Sequence, residues 1–375
     1  MFHLAITVGY LYLLWRFVWL LPLRTPVKTT IAIVLLLISQ YHLLLKLAFG
    51  NMFSPEMPRF VIVISAGLFC FFVLLLMLTV VSDALKLLWK LCMRRRIALS
   101  GHRYALTLSL VATLLTVTGV QQALLVPNVK EVSVTLPSLA PQYDGIRMVQ
   151  LSDLHISQLF DRSWVEAVVS KTNILQPDLI VITGDLIDGT VEYRANDISP
   201  LRQLSAPSGV YASLGNHEYY FDAPQWANRF EQLGMTVLQN SSITIPALGI
   251  NIVGVTDEAA AEFGLPTPNL TQALSNIDHT LPTVLLKHQP TNALISSEHR
   301  VALQLSGHTH GGMIKGLDIL LSGFNQGFMS GRFQLGEMTL YVSNGTALWN
   351  GFPIRLGVPA QITLLTLHSP SKVSN

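Results

Sequence analysis

Only two cysteines occur in the 375 residues, Cys70 and Cys92, and both fall in the most apolar part of the chain. That excludes a disulfide framework or a thiolate-rich metal site in the remainder. Charge is scarce as well: Asp, Glu, Lys and Arg make up 12% of the residues, hydrophobic types make up 50%, and mean hydropathy is +0.45. An ordinary soluble domain is about 25% charged, so part of this chain must be solvated by something other than water. Acids are nearly missing from residues 1–126, where 11 Lys and Arg face only Glu56 and Asp83. From Pro127 onward the balance reverses, with 13 basic residues against 20 acidic ones. A basic apolar segment followed by an acidic mixed one reads as a membrane anchor joined to a globular domain. The acidity of the second part argues against a nucleic-acid partner, whose phosphates need a basic face. No internal repeat supports a transporter.

Four apolar runs, 2–23, 30–49, 60–81 and 104–126, are long enough to cross a bilayer, which takes roughly 20 helical residues. The third, FVIVISAGLFCFFVLLLMLTVV, has no charge at all. The first contains Arg16 but lacks the basic start and small-residue cleavage site of a signal peptide, so it reads as a retained helix. Arg16, Lys46 and Asp83 read as snorkelling or interfacial side chains. Lys86, Lys90, Arg94, Arg95, Arg96 and Arg103 lie between the third and fourth runs. Short loops rich in Lys and Arg stay in the cytoplasm, so the fourth helix carries the remaining chain outward. The expected organisation is a four-helix transmembrane anchor over 1–126, a linker over 127–143, a globular domain over 144–369 and a tail over 370–375. The lipid bilayer is then one partner. The expected location is an integral membrane protein, of the inner membrane if the cell is Gram-negative, with its globular domain on the extracytoplasmic side.

After Gly145 the pattern changes to short strand-like runs separated by amphipathic stretches, which predicts an α/β domain. Each run of one group ends in polar residues. IRMVQLS leads to Asp153 and His155, PDLIVITG to Asp185 and Asp188, and GVYASLG to Asn216 and His217. PTVLLKH ends in His288, and RVALQLSG runs into His308 and His310. Taken singly these have ordinary explanations as helix caps, Asx turns or buried hydrogen-bonded histidines. Five strand ends of one kind are another matter, because the carboxyl ends of strands are where α/β sheets bind ligands.

The blocks DLH (153–155), GDLID (184–188), GNHE (215–218), KH (287–288) and GHTH (307–310), in that order, resemble the calcineurin-like metallophosphoesterase family. The closing SNGTALWNGFPIRLGVPAQITLLTL is similar to the end of its membrane-anchored bacterial branch. The resemblance implies two packed sheets flanked by helices, following the N-terminal helical transmembrane region. It also implies two divalent metal ions. Asp153, His155 and His310 would hold one, Asn216, His288 and His308 the other, and Asp185 would bridge them beside a shared hydroxide. Carboxylate, imidazole and amide donors without thiolates suit Mn, Fe or Zn. His217 would be catalytic, protonating or stabilising the leaving oxygen, while Asp188 and Glu218 would orient ligands.

The function so implied is a membrane-anchored, metal-dependent phosphoester hydrolase acting on a lipid-linked phosphoester or phosphodiester. The alternatives are a hydrolase of soluble phosphodiesters or nucleotides, and a catalytically dead membrane sensor or scaffold. All seven ligand positions and His217 are filled, which speaks against the dead form. Phe324, Phe328 and Met329, in the apolar stretch GLDILLSGFNQGFMSGRF (316–333), are the expected contacts for the lipid part of the substrate. Met313 and residues 358–361 depart from the family pattern outside the ligand set, and so bear on substrate rather than on chemistry.

Overall fold

The computed structural model describes residues 2–94 and 101–370. The chain forms two compact units: a helical unit from residues up to Gln122 plus Trp349–Leu356, and a second unit from Ala123–Leu348 plus Gly357 onward.

In the helical unit, α1 (Phe2–Leu13) runs into a π-helical turn over Leu14–Val18. At 1.5 Å per residue these seventeen residues reach about 25 Å, short of a hydrocarbon core of about 30 Å. α2 (Thr25–Ser39) and α3 (Tyr41–Phe49) are bent by 56° at their break. α4 (Arg59–Met93) has 35 residues and α5 (His102–Leu124) has 23. Among the described residues, therefore, two helices are long and apolar enough to cross a membrane, or three if the bent pair is one span. Of the four expected spans, the third and fourth are therefore single helices of spanning length, the second is the bent pair and the first is the shorter α1 segment.

Arg16 of the first run sits in the π turn. Its Nε and Nη2 donate to Asp83 at 2.6 and 2.9 Å, and Tyr12 Oη donates to the same carboxylate at 2.8 Å. Neither charge simply snorkels, as single-residue reading expected; they neutralise each other across 67 residues of sequence. α5 presents Leu106, Leu110, Leu114 and Val117, each more than half exposed, as one continuous apolar face. Hydrocarbon satisfies such a face and water does not. Arg95 and Arg96 of the basic loop lie outside the described residues, as does the expected tail beyond Pro370.

The second unit packs two six-stranded sheets face to face. The first has the order β1 (Asn128–Thr135), β12 (Gln361–His368), β2 (Ile146–Leu151), β3 (Leu179–Thr183), β4 (Val210–Ser213), β5 (Thr236–Val237). The second has the order β10 (Gly331–Leu335), β11 (Met338–Val342), β9 (Leu303–Ser306), β8 (Thr283–Leu286), β7 (Ile250–Gly254), β6 (Ser241–Ile245). β2 to β5 are mutually parallel, as are β7, β8, β9 and β11. β3, β8 and β9 are buried along their length and β2 at every position but Arg147, as expected of central strands covered on both faces. Met148, Val181, Leu286, Leu305, Tyr341 and Leu365 belong to the core between the sheets. α6 (Arg162–Ile174) buries Trp164, Val165, Val168 and Val169, and Asp161 caps its first turn.

The expected linker over 127–143 is also corrected. Its first part is β1, paired in parallel with β12 along its whole length, and Val134, Leu136 and Leu139 enter the core. β1 is an edge strand with mostly exposed residues, so its sequence carries little burial pattern. Its partner lies more than 200 residues away.

Candidate metal centre

β2, β3 and β4 in one sheet and β8 and β9 in the other all end at one crevice. The seven residues singled out as ligands are brought together there. Oxygen and nitrogen atoms of Asp153, His155 and His310 lie within 4.8 Å of one another, as do those of Asp185, His288 and His308. Asn216 joins the second group: its Oδ1 is 3.2 Å from His288 Nε2 and 3.0 Å from His308 Nδ1. Asp185 Oδ2 sits between the groups, 3.1 Å from His288 Nε2 and 3.8 Å from His155 Nε2. His155 Nε2 and His310 Nε2 are 3.3 Å apart.

These spacings fit a cation. Ligand atoms at about 2.0–2.2 Å from one ion are about 3.0–3.5 Å from each other. The donor types agree as well, being carboxylate, imidazole and amide.

The backbone aims these side chains at some cost. Asp153, His155, Asp185, His308 and His310 all have positive φ, from 42° to 66°. Such residues cost about 1–3 kcal/mol each, and they cluster at functional sites. Asp and His tolerate the region better than most residues, which is one reason the strand ends can carry them. Close approach adds its own requirement at Gly184, with φ of 79°, where a Cβ would lie 2.6 Å from both Gly215 N and His288 Nδ1.

Neighbouring groups fix each ligand. Asp188 Oδ1 lies 3.3 Å from His155 Nδ1 and 2.5 Å from His217 Nδ1, leaving both Nε2 atoms facing the crevice. His288 Nδ1 donates to Thr183 O at 2.8 Å, which turns its Nε2 inward. Glu218 accepts from the backbone N–H groups of Gly215, Asp185, Leu186 and Ile187 at 2.7–3.3 Å, tying the β3 and β4 loops together. His308 N donates to Asp153, and His217 N donates to Asp185 Oδ1.

Electrostatics follow from this crowding. Burial would raise the Asp185 carboxyl, but the His288 and His217 imidazoles overcome it and hold the group well below the usual range. Burial, with His288 alongside, pushes His308 down to about 3, so its ring is neutral and its lone pair available. His217 is raised to about 9: burial lowers it, yet Asp185 and Asp188 win.

Two residues of the site went unread in the sequence. Asp257, buried, accepts from Gln289 Nε2 at 2.9 and 3.1 Å, and burial raises its carboxyl to about 6 against the opposing influence of His288. Its signal was available, since it follows β7 just as the other acids follow their strands. Tyr220 Oη accepts from Asn216 Nδ2 at 3.3 Å and so turns Oδ1 toward the histidines. No motif marks it.

The expected substrate contacts divide. Phe324 is 82% exposed. Phe328 packs against the core beside Phe333, with ring centroids 5.1 Å apart. Met329 is buried, and its carbonyl accepts from Thr309 Oγ1 at 2.6 Å. The outward apolar residues of that segment are instead Ile319 and Leu320, on the short helix Leu317–Leu321, together with Phe324.

Comparison with known proteins agrees with this geometry. A family model described as calcineurin-like phosphoesterase matches residues 146–312. An uncharacterized metallophosphoesterase of Campylobacter jejuni is 34% identical over 266 residues, covering 70% of this chain and 69% of that protein. A transmembrane protein with metallophosphoesterase domain from Bos taurus is 36% identical over 274 residues, covering 69% of this chain and 61% of its own. The likeness therefore extends beyond bacteria. Among solved structures, a dimetal phosphatase from Danio rerio superposes with a TM-score of 0.35 at 14% identity, covering 54% of this chain and 88% of that one. With sequence order, strand-end placement and the Campylobacter jejuni relative in agreement, the chain belongs to the calcineurin-like metallophosphoesterases, a family of phosphoester hydrolases.

Proposed function

We propose that this metallophosphoesterase works with two divalent cations and acts at a membrane surface on a lipid-linked phosphoester or phosphodiester. The observation that carries the two-ion reading is the position of Asp185 Oδ2, within reach of His288 Nε2 on one side and His155 Nε2 on the other. Asp153, His155 and His310 would hold one ion, Asn216, His288 and His308 the other, and Asp185 both. When bound, such a pair supplies a water-derived nucleophile at neutral pH and neutralises charge on the phosphoryl group. The nature of the ions, Mn, Fe or Zn, is open within this donor set. His217 acts as the general acid. Asp188 holds its Nδ1, so the proton for the leaving oxygen sits on the Nε2 that faces the crevice.

Support for a lipid-linked substrate comes from the apolar lip formed by Ile319, Leu320 and Phe324, exposed by 74%, 74% and 82%. The lip is fixed to the histidine loop: a Cβ on Gly312 would lie 2.8 Å from Asp318 Cα. Three large apolar side chains held out of the domain beside a phosphoester site suit an acyl chain. Covering two CH₂ groups at about 0.8 kcal/mol each is about a tenfold change in affinity. Changing all three to Ser is therefore expected to raise KM for a phospholipid-type phosphodiester in mixed micelles about tenfold. KM for bis(p-nitrophenyl) phosphate should not move, since these side chains contribute nothing to the core. Equal losses on both esters would leave a soluble phosphodiester or nucleotide as the better substrate.

The sidedness proposal rests on Lys86, Lys90, Arg94 and Arg103 around the gap between α4 and α5. A reporter that works only outside the cytoplasm, fused after Asn375, is expected to be active. Activity from a cytoplasm-only reporter would reverse the orientation and exclude an extracytoplasmic substrate.

A further inference from the structure

One segment of the chain belongs to both units by connectivity. After β11 the chain passes behind the metal centre. Thr346 N donates to Ser152 O at 2.7 Å and Ala347 N donates to Asp153 O at 2.8 Å. At Gly345, with φ of 79°, a Cβ would lie 2.9 Å from His310 Nδ1 and 3.0 Å from Asp153 Cβ. This stretch thus packs directly against the Asp153 and His310 loops. The chain then contributes Trp349–Leu356 to the helical unit and returns to the catalytic unit at Gly357, which bridges to Ile314 just beyond the histidine turn.

Inside the helical unit this eight-residue strap is firmly seated. The Trp349 ring lies 5.3 Å from His42 and 5.5 Å from Phe53. Asn350 Nδ2 donates to Phe53 O at 2.9 Å, and Arg355 N donates to Gly119 O at 3.0 Å. α5 approaches the strap so closely at Gly119 that a Cβ there would fall 2.5 Å from Ile354 Cγ1 and 3.1 Å from Ile354 Cδ1. Ile354 and Arg355 are buried.

We propose that the strap Trp349–Leu356 is a positioning element: its seat in the helical unit fixes residues 345–347 behind Asp153 and His310, and thereby sets the affinity for metal. The inference rests on the metal-centre reading above. It makes the helices part of the catalytic apparatus, acting through backbone placement rather than by touching substrate.

The test uses the full chain in detergent micelles and Mn²⁺ alone as probe. Gly119→Ala must displace Ile354, whereas Gly67→Ala, with nothing within 4 Å of its Cβ position, is the matched control on α4. Gly119→Ala is expected to weaken Mn²⁺ binding about tenfold, the scale on which groups that orient metal ligands act. Gly67→Ala should leave binding unchanged. Ile354→Ala removes the two nearest atoms, so the double variant should recover Mn²⁺ affinity; measuring binding well below each variant's melting temperature, where Gly119→Ala is still folded and should still bind more weakly, excludes general loss of stability. Asn350→Ala, which removes the hydrogen bond from the strap to Phe53 O without adding bulk, should weaken Mn²⁺ binding in the same direction and serves if Gly119→Ala does not fold. Wild-type Mn²⁺ affinity in folded Gly119→Ala and in Asn350→Ala would overturn the proposal. Failure of the unaltered chain to take up Mn²⁺ would remove instead the metal-centre reading beneath it.

Discussion

Asp185→Asn should abolish metal pairing and hydrolysis together. The substitution keeps the shape of the side chain, and Oδ1 can still accept the His217 N–H that it receives at 2.9 Å. What it removes is the charge on the oxygen that lies between the two histidine groups. Changes in groups that merely orient ligands cost about 10–100-fold in metal affinity. A carboxylate shared by both ions must cost more, and a loss on the order of 10³-fold in affinity for at least one ion is expected. The folded state should survive, because the amide has the same shape and Oδ1 keeps its backbone partner. Mn²⁺ binding isotherms on the wild-type and variant chains check this. Two ions bound by the variant at wild-type affinity would show that Asp185 does not bridge.

His217→Ala should separate what Asp185→Asn couples. In the arrangement described, His217 contributes a proton and not a ligand atom, so both ions should remain while turnover falls by roughly 10²–10⁴-fold, the range for a general acid. Asp188→Asn provides the contrast. Its carboxylate faces both His155 and His217, so that variant should lose metal affinity as well as turnover. Elemental analysis beside a turnover assay distinguishes the cases, and metal loss in His217→Ala would make His217 a ligand instead.

How far the sequence foretold the molecule depends on how local each feature is. The ligands were legible because each ends an apolar run whose burial is written into its own residues, as in β3 and β8. The five blocks also keep a fixed order. Features that need a distant partner were not legible. β1 carries little burial pattern and is a strand only because β12 lies beside it. Arg16 looked like a lone charge in a helix until Asp83 was placed against it. Within 316–333, composition alone could not separate exposed Phe324 from buried Met329; between them lie Gln326 and Gly327, both at positive φ, 55° and 90°. The seat of the strap among the helices follows from contacts such as Asn350 to Phe53, 297 residues apart.

The central claim is that one crevice, built from the carboxyl ends of strands in two sheets, holds a pair of cations that the reaction requires. Titrating metal-free, full-length protein with Mn²⁺ while following both bound metal and phosphodiester hydrolysis tests it most directly. Two ions per chain, with activity rising as the second site fills, is the predicted result. Full turnover with a single ion bound, or with none, would contradict it.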